Sequence, residues 1–311
     1  MKILIYVNTI QNLNNRNLLG GIEILNFYLY KFLKNKNKTL LTNKLTSSIK
    51  NKHWDIVISS NDSIIFNHLI TKKKILWLHN KLQVEKAFRK KQLFPILSNK
   101  PYAIFVSKFL YEKTSKIYPF RKRYIIKNFL DKSFENIKIN YQRKPIFTWS
   151  VQRSKGLKEV LKLWKNKIYK TRPDAKLYIF GIKKVENHRE FKKFNIFFLG
   201  KVKKNILIKY YKISMGMICL GYDETFCLNA IESMSCGQPI LSFGKTALNE
   251  LIKNNINGYR VKNFDKLCKK IIDILDLKKL KRDKIINTTY KYSKKYYFEK
   301  VKSDWLKITK L

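Results

Sequence analysis

Glu224 and Glu232, with seven residues between them, flank the start of a helix-forming stretch in ETFCLNAIESMSCGQPI (224–240). Phe226, Leu228, Ile231 and Met234 recur at helical spacing, Gly237 supplies a C-terminal stop, and the apolar run Pro239-Ile240-Leu241 follows as a strand. The spacing predicts Glu224 in the loop at the helix mouth and Glu232 about two turns inward, roughly 12 Å along the axis. Between them, the amides of Thr225, Phe226, Cys227 and Leu228 become donors that a helix N-terminus leaves without intrahelical acceptors. Such donors cradle anions, a diphosphate in particular, while carboxylates accept from hydroxyl groups. A nucleotide sugar, anionic in the middle and hydroxyl-rich at both ends, matches this set. Two glutamates at this spacing also occur on plain solvated helices, so the surrounding pattern has to choose between the readings.

Other candidates lie where a sheet would present them. His79 closes the run ILWLH and is expected at the carboxyl edge of a strand, where open α/β sheets bind ligands; a structural histidine is the competing reading. Gly20-Gly21 stand between the first strand and a helix in a chain with only 10 glycines. Lack of a Cβ there lets backbone approach a ligand, or simply makes a turn. They are not a nicotinamide fingerprint, because GxGxxG is missing and they lie roughly a dozen residues beyond the strand. Arg153 and Lys155 stand just before Gly156 and an apolar helix.

The elements that must position these residues alternate. KILIYVN (2–8) reads as a buried strand, followed after Gly20-Gly21 by a helix from Ile22 to about Lys34. DIVISS (55–60), KILWLH (74–79), YAIFVS (102–107) and IIKN (125–128) are further short apolar runs, separated by helical patterns such as 108–117. The polar, aperiodic ENIKINYQRKP (135–145) reads as an inter-domain linker. The pattern then restarts with strands IFTWSV (146–151), AKLYIFG (175–181), NIFFLG (195–200), MGMICLG (215–221) and PILSF (239–243), and helices 155–170 and 204–213. This predicts an α/β chain with two Rossmann-like parallel-sheet domains, 1–140 and 141–290. A helical tail, 291–311, carrying Tyr297, Phe298, Trp305 and Leu306, is expected to pack back across the domain junction.

Composition narrows the classes. At 311 residues with 45% hydrophobic and 14% aromatic content, the chain supports two cores rather than disorder. Its net charge of +46, from 67 Lys plus Arg against 21 Asp plus Glu, invites a nucleic-acid reading. The lysines are spread through almost every segment, however, which argues against one binding face and leaves an anionic membrane surface or acidic glycan as the better partner. Cys219, Cys227, Cys236 and Cys268 show no CxxC spacing, so neither a zinc site nor a disulfide framework is expected, and reduced cytosolic thiols are the default. No stretch approaches the ~20 uninterrupted apolar residues of a spanning helix, and MKILIYV is too short for a signal peptide.

Three consecutive stretches of the second half resemble the retaining glycosyltransferases of family 4, which have two facing Rossmann-like domains, the GT-B fold. They are SKGLKEVLKLWKNKIYKTRPDAKLYIFG (154–181), FFLGKVKKNILIKYYKISMGMICLGYDETFCLNAIESMSCGQPIL (197–241) and ELIKNNINGYRV (250–261). The first half agrees more weakly, through Gly20-Gly21-Ile22-Glu23, His79, Val106-Ser107 and Asn128. The resemblance implies that Glu232 holds the donor ribose, Glu224 lies against the sugar, Arg153 and Lys155 bind the donor phosphates, Gly20-Gly21 approach the diphosphate, and His79 contacts the transferred sugar. Ser150 stands where many relatives carry Arg, Cys227 where Gly is usual, and Ser233-Met234-Ser235 where Ala-Met-Ala is commoner.

The expected activity is transfer of a sugar from a nucleotide diphosphate sugar to a hydroxyl of a glycan or lipid-linked acceptor. The sequence carries no DxD motif, so neither a metal nor a cofactor beyond the donor is expected. The expected location is the cytoplasm, with peripheral contact at the inner face of an anionic membrane through 81–100, where Lys86, Arg89, Lys90 and Lys91 mix with Phe88, Phe94 and Leu97. The rivals are a nucleotide-sugar epimerase of the same fold and a basic nucleic-acid-binding protein.

Overall fold

Parallel strands covered on both faces read as unbroken apolar runs. A computed structural model, describing residues 1–9, 20–182 and 188–310, builds two such sheets and divides the chain into two compact units: Met1–Phe129 with Glu299–Leu311, and Leu130–Phe298.

In the first unit the strands are β1 (Lys2–Tyr6), β2 (Lys38–Thr42), β3 (His53–Ser60), β4 (Ile70–Leu78), β5 (Tyr102–Phe105) and β6 (Arg123–Ile125), in the order β2-β1-β3-β4-β5-β6. All are parallel. Ile3, Leu4, Ile5, Val57, Ile58, Ile75, Ile104 and Phe105 are fully buried along it, and the helix Gly21–Lys34 adds Leu25, Leu29 and Leu33. The chain ends in this unit, on the helix Phe298–Lys310. Its Trp305 is fully buried edge-on to Trp77, 4.6 Å between ring centroids, and Lys73 Nζ donates to the Ile308 carbonyl at 2.5 Å. A fully buried side chain of this size contributes roughly 3 kcal/mol.

The second unit holds β7 (Lys144–Trp149), β8 (Lys176–Phe180), β9 (Ile196–Gly200), β10 (Ser214–Ile218), β11 (Ile240–Ser242) and β12 (Gly258–Arg260), again all parallel, in the order β12-β11-β10-β7-β8-β9. Strand order reverses between β7 and β10. In open α/β sheets a crevice opens at the carboxyl ends of the strands flanking such a reversal. Arg143 braces this region from behind: its guanidinium donates to the carbonyls of Tyr211 (2.7 Å), Ser214 (3.1 Å) and Cys236 (2.9 Å). All three carbonyls lie at the C-terminal ends of the helices Lys204–Ile213 and Leu228–Ser235, Tyr211 in a last turn and Ser214 and Cys236 as capping residues, where positive charge is favoured. Burial pushes Arg143 down to about 10, which leaves it charged at neutral pH.

Several elements differ from expectation, each for a local reason. β2 and β12 escape the apolar-run criterion because they are sheet edges; Leu40 in β2 stays 38% exposed, and β12 has only three residues. The helix foreseen over 108–117 stops at Lys113, and the strand foreseen over 125–128 lies at Arg123–Ile125. The helix foreseen from 155 begins at Leu157, after a turn Arg153–Lys155 and a left-handed Gly156, and runs to Thr171 through a π turn at Trp164–Ile168. The stretch 135–145 is fastened to the second unit: Asn136 N donates to Tyr297 Oη at 2.9 Å, and Glu135 accepts from Phe298 N at 3.2 Å. The tail foreseen over 291–311 is not one helix: it takes in the end of the helix Lys279–Ser293, a 3-10 turn at Lys294–Tyr296 and the helix Phe298–Lys310. Among the described residues no helix is long and apolar enough to cross a membrane.

Candidate active site

The loops leaving β7 and β10 meet at the strand-order reversal. After β7 the chain makes the turn Arg153–Lys155 and passes Gly156 at φ 104°, a left-handed conformation that suits glycine. A Cβ on Gly156 would lie 2.5 Å from Leu220 Cδ1 and 2.9 Å from Tyr222 Cε2, so its absence lets this turn press against the loop after β10. That approach brings Lys155 Nζ to 3.7 Å from Glu224 Oε1, with the two side chains only 14% and 13% exposed. Lys155 also donates to the Asp223 carbonyl. Burial raises the Glu224 carboxyl above the usual carboxylate range; Lys155 opposes the rise and Asp223 adds to it. Arg153 is exposed on the same turn.

The helix at the mouth of the site starts later than its apolar spacing suggests. It runs Leu228–Ser235, because Cys227 takes φ 74° and ψ 77°, a left-handed residue through which an α-helix cannot continue. Thr225 and Phe226 therefore belong to the preceding loop rather than to the helix, and Phe226 is buried there edge-on to Tyr296. The first-turn amides are those of Leu228 and Asn229, while Ala230 N already donates to the Cys227 carbonyl at 3.1 Å. Glu232 is the fifth residue of this helix, so it stands just over one turn in, roughly 6 Å from its start rather than two turns. Asn229 Nδ2 donates to the Ser150 carbonyl, tying the helix to the loop after β7, and Tyr211 Oη donates to Ser150 Oγ at 2.8 Å.

Glu232 faces a charged pair. Burial pushes its carboxyl up to about 7, with Lys204 opposing and Asp131 reinforcing the shift. Lys204 is ion-paired with Asp131, which also accepts from Ser133 N (2.8 Å) and Ser133 Oγ (2.6 Å). Burial raises the Asp131 carboxyl, but these donors outweigh it and hold it below its usual range. Tyr211 is raised well above its usual value by burial and by the Glu232 charge.

Lys155, Glu224, the first turn of the helix and Glu232 thus share one strand-end region, offering an ammonium and two amides to an anion and two carboxyl groups to hydroxyls. The remaining candidates lie in the first unit. His79 follows β4 directly, 4% exposed, its ring 4.5 Å from that of Trp77; burial pushes it down to about 3, so it is a neutral imidazole. Gly20 is the extended residue capping the helix Gly21–Lys34, and both glycines are exposed. Sequence reasoning missed Asn229, Tyr211, Lys204 and Asp131, whose roles depend on tertiary pairing; the short Asp-x-Ser of Asp131 and Ser133, a turn-capping signal, was the one legible clue. Among the described residues one group of metal-ligating types clusters: Cys219, Glu224 and Cys227, with ligand atoms within 4.8 Å of one another.

Comparison with known proteins agrees with this placement of the sheets. No curated protein sequence matches the chain. Among solved structures, a mutant of TarM from S. aureus, in complex with Fondaparinux, alpha-GlcNAc-glycerol and UDP, superposes with a TM-score of 0.66 at 18% identity, covering 91% of this chain and 57% of that one. The chain therefore spans only 57% of TarM's length. Sucrose-phosphate synthase from Thermosynechococcus elongatus gives 0.73 at 12% identity, covering 99% and 98%. Anabaena Alr3699/HepE in complex with UDP gives 0.73 at 12%, covering 100% of both chains. At such identities the likeness concerns the fold, which is that of GT-B glycosyltransferases. The model of the family described as "Glycosyl transferases group 1" matches residues 131–292, just over half of the 311 residues, and the chain belongs to that family.

Proposed function

We propose that the protein transfers a sugar from a nucleoside diphosphate sugar to a hydroxyl of a glycan or lipid-linked acceptor, with retention of anomeric configuration, as family 4 enzymes do. The observation that carries this reading is the Lys155–Glu224 pair at the ends of β7 and β10, with the helix bearing Glu232 directly behind it. In the proposed step the bond from the anomeric carbon to the diphosphate oxygen breaks while the acceptor oxygen bonds on the same face, and the acceptor's proton passes to the departing phosphate. Lys155, the exposed Arg153 and the amides of Leu228 and Asn229 offset charge building on that phosphate, which removes the need for a metal ion. Glu224 takes a hydroxyl of the sugar, and Glu232 takes the ribose hydroxyls as a charge-assisted acceptor. TarM and HepE were solved with UDP, so uridine is the first base to test.

On the acceptor side, we propose peripheral contact with an anionic membrane through the short helices Val84–Arg89 and Leu93–Asn99. Phe88 and Phe94 are 59% and 63% exposed with ring centroids 6.1 Å apart, beside exposed Lys86, Arg89, Lys90 and Lys91. Each such charge near an anionic surface contributes roughly 1 kcal/mol.

The test is incubation with a panel of nucleotide sugars. Slow release of free sugar and nucleoside diphosphate from one donor is the expected result, with the released anomer retained. Interconversion of donor sugars would instead make the protein an epimerase. Indifference to every donor, together with tight binding of nucleic acid, would overturn both enzymatic readings.

A further inference from the structure

Cys219 and Cys227 stand at the two ends of the loop that carries Glu224. Cys219 is the first residue after β10, Cys227 immediately precedes the helix Leu228–Ser235, and their Sγ atoms lie 3.7 Å apart. Both thiols are free and buried, whereas the Glu224 side chain keeps 13% of its surface in solvent. Two thiolates held by a tetrahedral zinc ion at about 2.3 Å are separated by about 3.8 Å, so the sulfurs already have the bite of such an ion. A Glu224 carboxylate oxygen completes a triangle in which no two ligand atoms are more than 4.8 Å apart. Cys227 holds this place in a backbone conformation, φ 74°, that favours glycine.

We propose that Cys219, Cys227 and Glu224 form a binding site for a thiophilic divalent cation of the zinc class, with the fourth position open to solvent, and that the bound ion draws Glu224 away from Lys155. Two thiolates and a carboxylate around a dication leave one negative charge, which the nearby Lys155 ammonium, now 3.7 Å from Glu224, still partly offsets once that ion pair is opened. On binding, each thiol releases its proton to solvent as its sulfur bonds to the ion, and Glu224 exchanges its ion pair for a metal–oxygen bond. Thiols bind a metal ion as thiolates, so binding displaces protons and tightens as pH rises. The consequence for catalysis rests on the function proposed above: a Glu224 drawn to the metal is displaced from its position against the sugar and is a weaker acceptor for its hydroxyl, and the ion inhibits transfer.

The experiment is titration of the full chain with Cd2+ in a phosphine reductant, followed by the ultraviolet thiolate-to-cadmium charge-transfer band. The site predicts a band that saturates at one equivalent. Cys219→Ser and Cys227→Ser should abolish it, the double variant Cys236→Ser with Cys268→Ser should retain it, and Glu224→Gln should retain it with weaker binding. Cys227→Gly, which suits the local backbone, provides a second thiol deletion whose folding circular dichroism can verify. No band, or one that survives loss of Cys219 and Cys227, would overturn the site. A normal band without effect on donor hydrolysis would overturn the inhibition and the sugar-side role of Glu224, leaving the cation site standing.

Discussion

The Lys155 ammonium lies 3.7 Å from the Glu224 carboxylate and donates to the neighbouring Asp223 carbonyl, so a single side chain joins the loops leaving β7 and β10. Neither partner is a surface charge, and each limits the other: Lys155 opposes the rise that burial imposes on Glu224. On the function proposed above, an incoming donor phosphate competes for the same ammonium, and the pair is a resting arrangement that donor binding exchanges for a phosphate contact.

Lys155→Ala should show both sides of that arrangement. It leaves Glu224 half-buried without its cation, so the carboxyl should rise further and stability should fall by about 1–3 kcal/mol, the cost of stranding a buried charged group. Urea unfolding measures this. Turnover should fall more than donor affinity, because charge grows on the leaving diphosphate in the transition state. A change confined to KM would mean that Lys155 serves the ground state alone.

Glu232 should give the enzyme a pH signature. Its carboxyl is raised from 4.5 to about 7, so between these values the folded chain keeps a proton that the unfolded chain has lost. Its contribution to stability is thus full below about pH 4.5, declines as pH rises, and is gone above about pH 7. Glu232→Gln should therefore raise the melting temperature above about pH 7, with the gain shrinking toward pH 4.5. Nucleotide affinity should respond in the opposite sense. The ionised carboxylate is the better acceptor for ribose hydroxyls, so the calorimetric difference between wild type and variant should widen as pH rises through about 7. Parallel affinity curves would remove Glu232 from the nucleotide site.

How much of this was legible follows from what each residue depends on. The alternation of apolar runs reveals the two parallel sheets because central strands such as Ile3-Leu4-Ile5 and Ile240-Leu241 are buried on both faces and are apolar along these stretches. Edge strands such as Lys38–Thr42 have no such requirement and leave no such mark. In the site, Glu232 is visible because it lies within an apolar helical pattern, and Glu224 because it stands at the mouth of that pattern. The helix start is not, since nothing in composition announces a cysteine at φ 74°. Lys204 and Asp131 are 73 positions apart, and Cys219 and Cys227 eight apart without a CxxC signature; both pairs exist only once the chain has folded. Arg143 sits in a stretch that reads as linker, although its guanidinium binds three carbonyls.

Gly156 is the position where packing rather than chemistry should decide activity. It holds φ 104°, and an added Cβ would fall 2.5 Å from Leu220 Cδ1 and 2.9 Å from Tyr222 Cε2. Leu220 is fully buried and has little room to yield. Gly156→Ala should therefore incur about 1–2 kcal/mol of left-handed backbone strain, and a further 1–3 kcal/mol or so of overpacking. It should also lower turnover, because relieving the clash pushes the loop of Tyr222 and Glu224 away from Lys155. Gly181→Ala separates the two effects, since Gly181 has φ 74° but nothing within 4 Å of its ideal Cβ. Urea unfolding and donor turnover of both variants make the comparison. Gly181→Ala should lose about 1 kcal/mol and keep its turnover, while Gly156→Ala should lose more stability and most of its activity. Equal losses in both would show that backbone strain alone matters, and that the close approach of the two loops does not set the Lys155–Glu224 distance.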